Sequence, residues 1–235
     1  SGVPHGFICG SCGQKVRCGT IALMNKEQIV GFFKTLQAAN PHPRSELEYS
    51  NPFELLVAVI LSAQATDVSV NKATAVLYPV ANTPQAILAL GQDGLEHYIR
   101  SIGLYRSKAR HILQTCEILI NRYQGQVPNT REALQGLPGV GRKTANVVLN
   151  VAFGQPVMAV DTHIFRVGNR TGLAPGKTPL AVELKLLKRI PPEFMLHAHH
   201  WLILLGRYVW KARKPECTRC AVANYCDYTR KQRVQ

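Results

Sequence analysis

The chain has 235 residues, 46% of them hydrophobic, enough for one large domain or two lobes around a proper core and too apolar for a disordered chain. Its formal net charge is +14 and its sequence pI is near 9.7, an excess that favours a polyanionic partner. No run of about eighteen apolar residues is present, so no membrane span is expected, and no lysine-led apolar leader opens the chain, so the expected setting is the cytoplasm.

Residues 1–23 hold glycines and the cysteines Cys9, Cys12 and Cys18 but no periodic apolar face, and they read as an extension of unknown origin. Met24-Asn25-Lys26-Glu27 looks like a natural start. Beyond it the pattern is helical, with Ile29, Phe32, Phe33 and Leu36 at helical spacing. Asn51 reads as an N-cap, followed by Pro52 at the first helical position and an apolar helix to about Ser62. Thr66 or Asp67 caps the next helix, Thr83 before Pro84 another, and Ser107 another. Thr130 precedes a short helix that leads into Leu137-Pro138-Gly139-Val140-Gly141, a tight glycine hairpin opening a further helix. Val157–Val160 is the single tempting strand, and it ends at Asp161, the expected cap of a helix from Thr162. A helix from Thr178-Pro179 to Ile190 is broken by Pro191-Pro192, and His200 to Tyr208 continues as a last long helix. No internal repeat of helical units stands out. The expected fold class is all-α and two-lobed.

The chemistry concentrates at two positions eighteen residues apart, Lys143 and Asp161. Gly139 and Gly141 lack Cβ, so both can take positive φ and let the backbone approach a phosphate. The helix that follows turns free N–H groups and its positive dipole end toward an anion. The same turn also suits a plain helix–helix connection. Lys143 falls on that helix's first turn, where the dipole and partial burial both disfavour the ammonium. An uncharged lysine amine attacks a sugar carbon to form an imine; a charged one simply contacts phosphate. A carboxylate at Asp161 can activate the lysine or stabilise positive charge developing on the sugar, and it can equally be only a helix cap. From Arg207 to Gln235 eight Lys/Arg face Glu216 and Asp227, a basic surface around a cysteine cluster.

Seven cysteines, an odd number in tight spacings, argue for metal and thiols over a disulfide framework. Cys9, Cys12 and Cys18 repeat the C-x2-C-x5-C spacing of Cys217, Cys220 and Cys226. Cys116 lies on an apolar helix as a buried thiol. His197, His199 and His200 look like a metal box, but no carboxylate or cysteine accompanies them at ligand spacing, so satisfied helix histidines are the preferred reading.

The hairpin and Asp161 runs occur in one order with Asn51-Pro52-Phe53-Glu54-Leu55-Leu56, Leu61-Ser62-Ala63-Gln64-Ala65-Thr66-Asp67 and Ile102-Gly103-Leu104-Tyr105. Together they resemble the endonuclease III family of helix-hairpin-helix DNA glycosylase/AP lyases, from about Met24 to Tyr228. The resemblance implies a central lobe of roughly residues 44–155 and a second lobe of 24–43 plus 156–235, with the substrate cleft between them. It implies removal of oxidised pyrimidines from double-stranded DNA and nicking of the abasic site by β-elimination through Lys143. Adenine glycosylases of the superfamily lack a lysine there. It further implies that Gln64 and Leu104 fill the gap left by an extruded base, and that Gly139, Gly141, Arg142, Lys211, Arg213 and Lys214 contact DNA. A monomer in the cytoplasm, at the nucleoid, would fit that work. A [4Fe-4S] cluster held by C-x6-C-x2-C-x5-C is also implied. Cys217, Cys220 and Cys226 match its last three positions, but the first is Trp210, which cannot ligate iron, and Leu205 stands where the family suggests a polar residue. Loss of the cluster, a labile three-thiolate form, and a fourth ligand from elsewhere, Cys9, Cys12 or Cys18 included, all remain open. So do two other functions, a non-catalytic DNA-binding relative and a glycosylase for mismatched bases.

Overall fold

The computed structural model describes residues 22–226 and Tyr228; Cys9, Cys12 and Cys18 lie outside them. Ten α-helices make up the described residues: α1 (Lys26–Ala39), α2 (Pro52–Leu61), α3 (Asp67–Leu77), α4 (Pro84–Ile99), α5 (Tyr105–Tyr123), α6 (Arg131–Gln135), α7 (Arg142–Phe153), α8 (Thr162–Thr171), α9 (Pro179–Arg189) and α10 (Pro192–Leu204). No strand occurs among the described residues, and the arrangement is the expected all-α, two-lobed one.

Helix starts follow the side chains that can cap them. Asn51, Thr66, Thr83, Thr130, Asp161 and Thr178 each accept a hydrogen bond from the backbone N–H three residues on. Asn25 and Gln28 form a reciprocal capping box at α1. Two expectations need correction. Ser107 lies inside α5, which starts at Tyr105 behind Leu104, a residue in the left-handed region with no side-chain cap bond. The last long helix begins at Pro192, because Pro192 serves as its first residue; after Leu204 it widens into a π-helical turn, Leu205–Val209. Val157–Val160, the one tempting strand signal, is an irregular connection with Met158, Ala159 and Val160 buried, in keeping with the all-α reading.

Apolar burial forms two cores. One is built on α2, which buries every residue from Phe53 to Leu61, together with residues of α3 to α7. The other joins Met24 and α1 to residues from Met158 through Cys226, so the two ends of the described chain share it. Phe33 stacks on Phe194 at 5.7 Å, and the Trp201 indole N–H donates to the Asn40 carbonyl, seating α1 on α10.

Polar ties cross between the cores. Arg142 Nε and Nη2 donate to Glu183 at 2.9 and 2.7 Å, and Glu183 is only 3% exposed. Asn146, one turn further along α7, donates to Met158 O and to Glu183 Oε1, and Arg131 Nε donates back to its oxygen. Asn150, a turn further still, donates to Leu196 O on α10. On the other side of the cleft Arg207 pairs with both Asp67 and Glu46.

Arg142→Ala leaves the buried Glu183 carboxylate without its counter-charge, so unfolding free energy falls by on the order of 3 kcal/mol. Arg142→Ala with Glu183→Leu recovers much of the loss in urea denaturation. A double variant no more stable than the single one would mean that the pair does not set the cost.

Candidate active site

The hairpin between α6 and α7 presents the candidate nucleophile. Gly139 has φ +77°, and a Cβ there would come within 3.3 Å of His111, so this position requires glycine on two counts. Gly141 differs from expectation: its φ is −85°, open to any residue. What it contributes is absence, since a Cβ would meet nothing within 4 Å and the N-terminus of α7 stays uncovered. Gly141 is the N-cap and makes no side-chain cap bond, which leaves first-turn N–H groups for an outside anion. Arg142 next to it donates twice to Glu183 while its side chain stays 37% exposed.

Lys143 is the second residue of α7 and is exposed, not partly buried as expected. It lines a narrow cleft of ≈ 80 Å³ between the two cores. Asp161 lines the same cleft from the opposite core, as do His199 and Arg207, and Asp67 lines it from the Lys143 side. The Asp161 carboxylate is fixed by Oδ1, which accepts from Ile164 N at 2.8 Å. Cap and reagent are therefore compatible roles, because the capping bond uses one oxygen. A larger cavity, ≈ 1030 Å³, contains neither Lys143 nor Asp161. It adjoins the cleft through Arg44, Ser45, Leu47, Val151 and His200. We place the chemistry in the smaller space because the reactive pair is there.

Sequence reasoning missed several neighbours of the pair. Burial, then the charge of Asp161, raises the Asp67 carboxyl above its usual range, although Arg207 Nη1 donates to it at 2.7 Å. His199 and His200 are not satisfied helix histidines, since neither Nδ1 has a hydrogen-bond partner. Burial, and for His199 the neighbouring His200 and Lys143 charges, pushes their pKa values down to about 3 and about 4, so both are neutral beside Lys143 at pH 7. No trio of potential metal ligands gathers among the described residues. Cys116 is a fully buried thiol, raised to about 12 by burial.

Gln64 and Leu104 share an unusual backbone. With Gln124 they are the non-glycine residues at positive φ among the described residues, at 55° and 59°. Both are exposed, Leu104 at 64%. Strain of this kind persists where surrounding structure enforces it. Lys108, which no local pattern singles out, is bonded to both segments. It is 5% exposed, and its Nζ donates to Leu61 O at 2.8 Å and Ala63 O at 2.6 Å. These carbonyls lie at the end of α2, where orphan acceptors and the negative dipole end favour a cation. Lys108 N also closes the first turn of α5 onto Leu104 O. One side chain thus ties the loop bearing Gln64 to the turn bearing Leu104.

Lys211, Arg213 and Lys214 lie on an exposed loop after the π turn. Lys211 pairs with Glu216 at 2.5 Å, while Arg170 of α8 donates to Ala212 O and Lys211 O. The residues at the family's cluster positions do not fit a four-thiolate site. Trp210 is 1% exposed and packed with Cys220 and Cys226 in the second core, and its indole N–H donates to the Cys220 sulfur. Leu205 is buried in the same core.

Helices closed on a glycine hairpin, with a lysine and a capping aspartate across one cleft, define a class. The chain belongs to the HhH-GPD superfamily of base excision DNA repair proteins, whose pattern matches residues 57–192. Within it the chain is similar to endonuclease III. It is 61% identical over 208 residues to endonuclease III of Escherichia coli K12 and, over the same length, to that of Haemophilus influenzae, each alignment spanning 88% of this chain and 99% of the relative. A non-covalent endonuclease III–DNA complex superimposes with a TM-score of 0.83 at 45% identity, covering 91% of this chain and 100% of that one. A trapped endonuclease III–DNA covalent intermediate gives 0.82 at 46%, covering 90% and 100%.

Lys108→Met keeps the buried stem and removes the donors. Base removal from a paired lesion should slow roughly tenfold, equivalent to about 1.4 kcal/mol, while nicking of a preformed abasic site changes less. Equal losses in both would remove Lys108 from any role in placing the two loops. The histidines give a pH signature. Their folded pKa values lie below the ordinary 6.5, so the unfolded chain binds more protons between about pH 6.5 and 4. Stability is full above that window and falls as pH drops, by up to about 1.4 kcal/mol per unit per histidine. His199→Gln should flatten the decline measured by urea denaturation from pH 7 to 5; an unchanged slope would assign it to other groups.

Proposed function

We propose that this chain is a bifunctional DNA glycosylase and AP lyase of base excision repair, acting as a monomer on double-stranded DNA and removing oxidised pyrimidines. The observation that carries the reading is the meeting of Lys143 and Asp161, from separate cores, in one cleft. Membership of a base excision repair superfamily supports the reaction class. The superimposed endonuclease III–DNA complexes support the partner, and among the described residues no helix is long and apolar enough to cross a membrane.

In this reading, the two cores correspond to lobes of residues 44–155 and of 24–43 with 156–235, and the duplex lies across the cleft between them. Gly139, Gly141 and the open N-terminus of α7 take one phosphate, and Lys211, Arg213 and Lys214 take others, so affinity falls with salt. The damaged nucleotide leaves the stack, and Gln64 and Leu104, held out by their backbone, fill its place. Uncharged Lys143 Nζ attacks C1′; the N-glycosidic bond breaks with its electron pair leaving on the base, which takes up a proton. Opening of the C1′–O4′ bond gives the imine. Loss of a C2′ proton then expels the 3′ phosphate oxygen by β-elimination, and water releases the lysine. Asp161 serves as acceptor for the lysine proton and as counter-charge to the sugar.

Borohydride should trap wild-type protein on a duplex with one abasic site, and Lys143→Ala, folded by circular dichroism, should give no adduct. Folded wild-type protein that forms no adduct would leave a DNA-binding relative without lyase chemistry.

A further inference from the structure

The loop after α10 is held to α8 by arginine–carbonyl bonds and packed on Trp210 at the first of the family's cluster positions. We propose that Trp210, with Arg166 and Arg170 of α8, replaces the [4Fe-4S] cluster as the anchor of the loop bearing Lys211, Arg213 and Lys214, so that DNA docking through this loop is independent of iron and of redox state.

The substitution begins with volume. A cluster needs a cavity lined by four sulfurs, and here one corner is an indole with 1% exposure. It shares the second core with Cys220, Val222 and Cys226, and its ring lies 5.2 Å from that of Tyr228. Its N–H donates to the Cys220 sulfur, so a group that would have bound iron is used by the residue that replaced a ligand.

Chain anchoring is the second part. Arg166 Nε donates to Trp210 O at 2.7 Å and Nη2 to Gly206 O at 2.8 Å. Arg170 donates to Ala212 O at 2.9 Å and sits over the Tyr228 ring at 5.9 Å. Glu216 N closes the loop onto Val209 O at 2.9 Å, and the Glu216 carboxylate pairs with Lys211 and Arg219. Cys220 N and Cys226 N close short turns on Cys217 O and Ala223 O. The close approach that makes this possible depends on Gly206, where a Cβ would come within 2.8 Å of His163. Arg166 and Arg170 thus bind the segment's carbonyls and the Tyr228 ring to α8, while the Glu216 carboxylate ties the segment to itself.

The test uses full-length protein purified without oxygen and then incubated with ferrous iron and sulfide. Iron and sulfide content and melting temperature are read first, since they do not depend on the enzymatic reading; affinity for a duplex with an uncleavable abasic analogue is read second. Expected are Cys217→Ser and Cys226→Ser proteins with the metal content and affinity of wild type, Cys226→Ser melting somewhat lower because its side chain is buried in the core. Trp210→Ala should melt several degrees lower and bind the duplex roughly tenfold more weakly. Trp210→Phe, which keeps a ring in the core, should retain most of the affinity should the alanine variant not fold. A stoichiometric cluster lost in Cys217→Ser or Cys226→Ser would overturn the proposal. So would Trp210→Phe or Trp210→Ala behaving as wild type alongside such a loss of binding in the cysteine variants. A protein with intact melting and metal readings that binds no duplex would instead count against the enzymatic reading alone.

Discussion

One carboxylate, Glu183 on α9, holds the reacting parts in relation to each other. It is buried in one core and receives two N–H bonds from Arg142 and a third, longer one from Asn146, both on α7 of the other core. Lys143 lies between those two partners in sequence. A buried ion has little tolerance for displacement, because its desolvation is offset only while its donors stay in place. The start of α7 is thereby fixed against the core that carries Asp161. Without that tie the spacing of the two groups would rest on the weaker Asn146 and Asn150 bonds and on the Arg207 pairs across the cleft.

The charge distribution divides into two kinds of cation. Arg142, Arg166, Arg170, Arg189 and Lys108 donate to carbonyls or a carboxylate within the fold, and their job is architectural. Lys143, Arg213 and Lys214 are exposed at the cleft or on the loop. The net charge of +14 therefore overstates the electrostatic footprint available to a polyanion. It is the second group whose loss should reduce salt dependence, not the first.

Much of the fold was legible because helix starts carry local signals. Asn51, Thr66, Thr83, Thr130, Asp161 and Thr178 each announce a helix by side-chain chemistry that acts within three residues. Where no such chemistry operates the reading failed. Leu104 starts α5 through backbone strain, and Ser107 drew the boundary into the helix interior. Pro191-Pro192 read as a stop although Pro192 begins α10. Lys143 and Asp161 could be found because each sits in a local pattern, whereas Arg142 and Glu183 are 41 residues apart and Lys108 reaches carbonyls 45 and 47 residues back. Contacts at that separation leave no periodic trace. The Gly139 and Gly141 readings split for the same reason: composition identifies a glycine, and only the backbone tells whether φ or an empty volume is being used.

Helix α8 has Asp161 at one end and grips the basic loop with Arg166 and Arg170 along its length, all within about 15 Å of rigid backbone. The carboxylate and the loop are thus mounted on a single lever. In the proposed function, a phosphate seated on the loop would act on the carboxylate through the helix itself, with no hinge between them. Alignment of the acid and seating of the strand become one mechanical coordinate, so a backbone that sits badly on the loop also misaims the carboxylate.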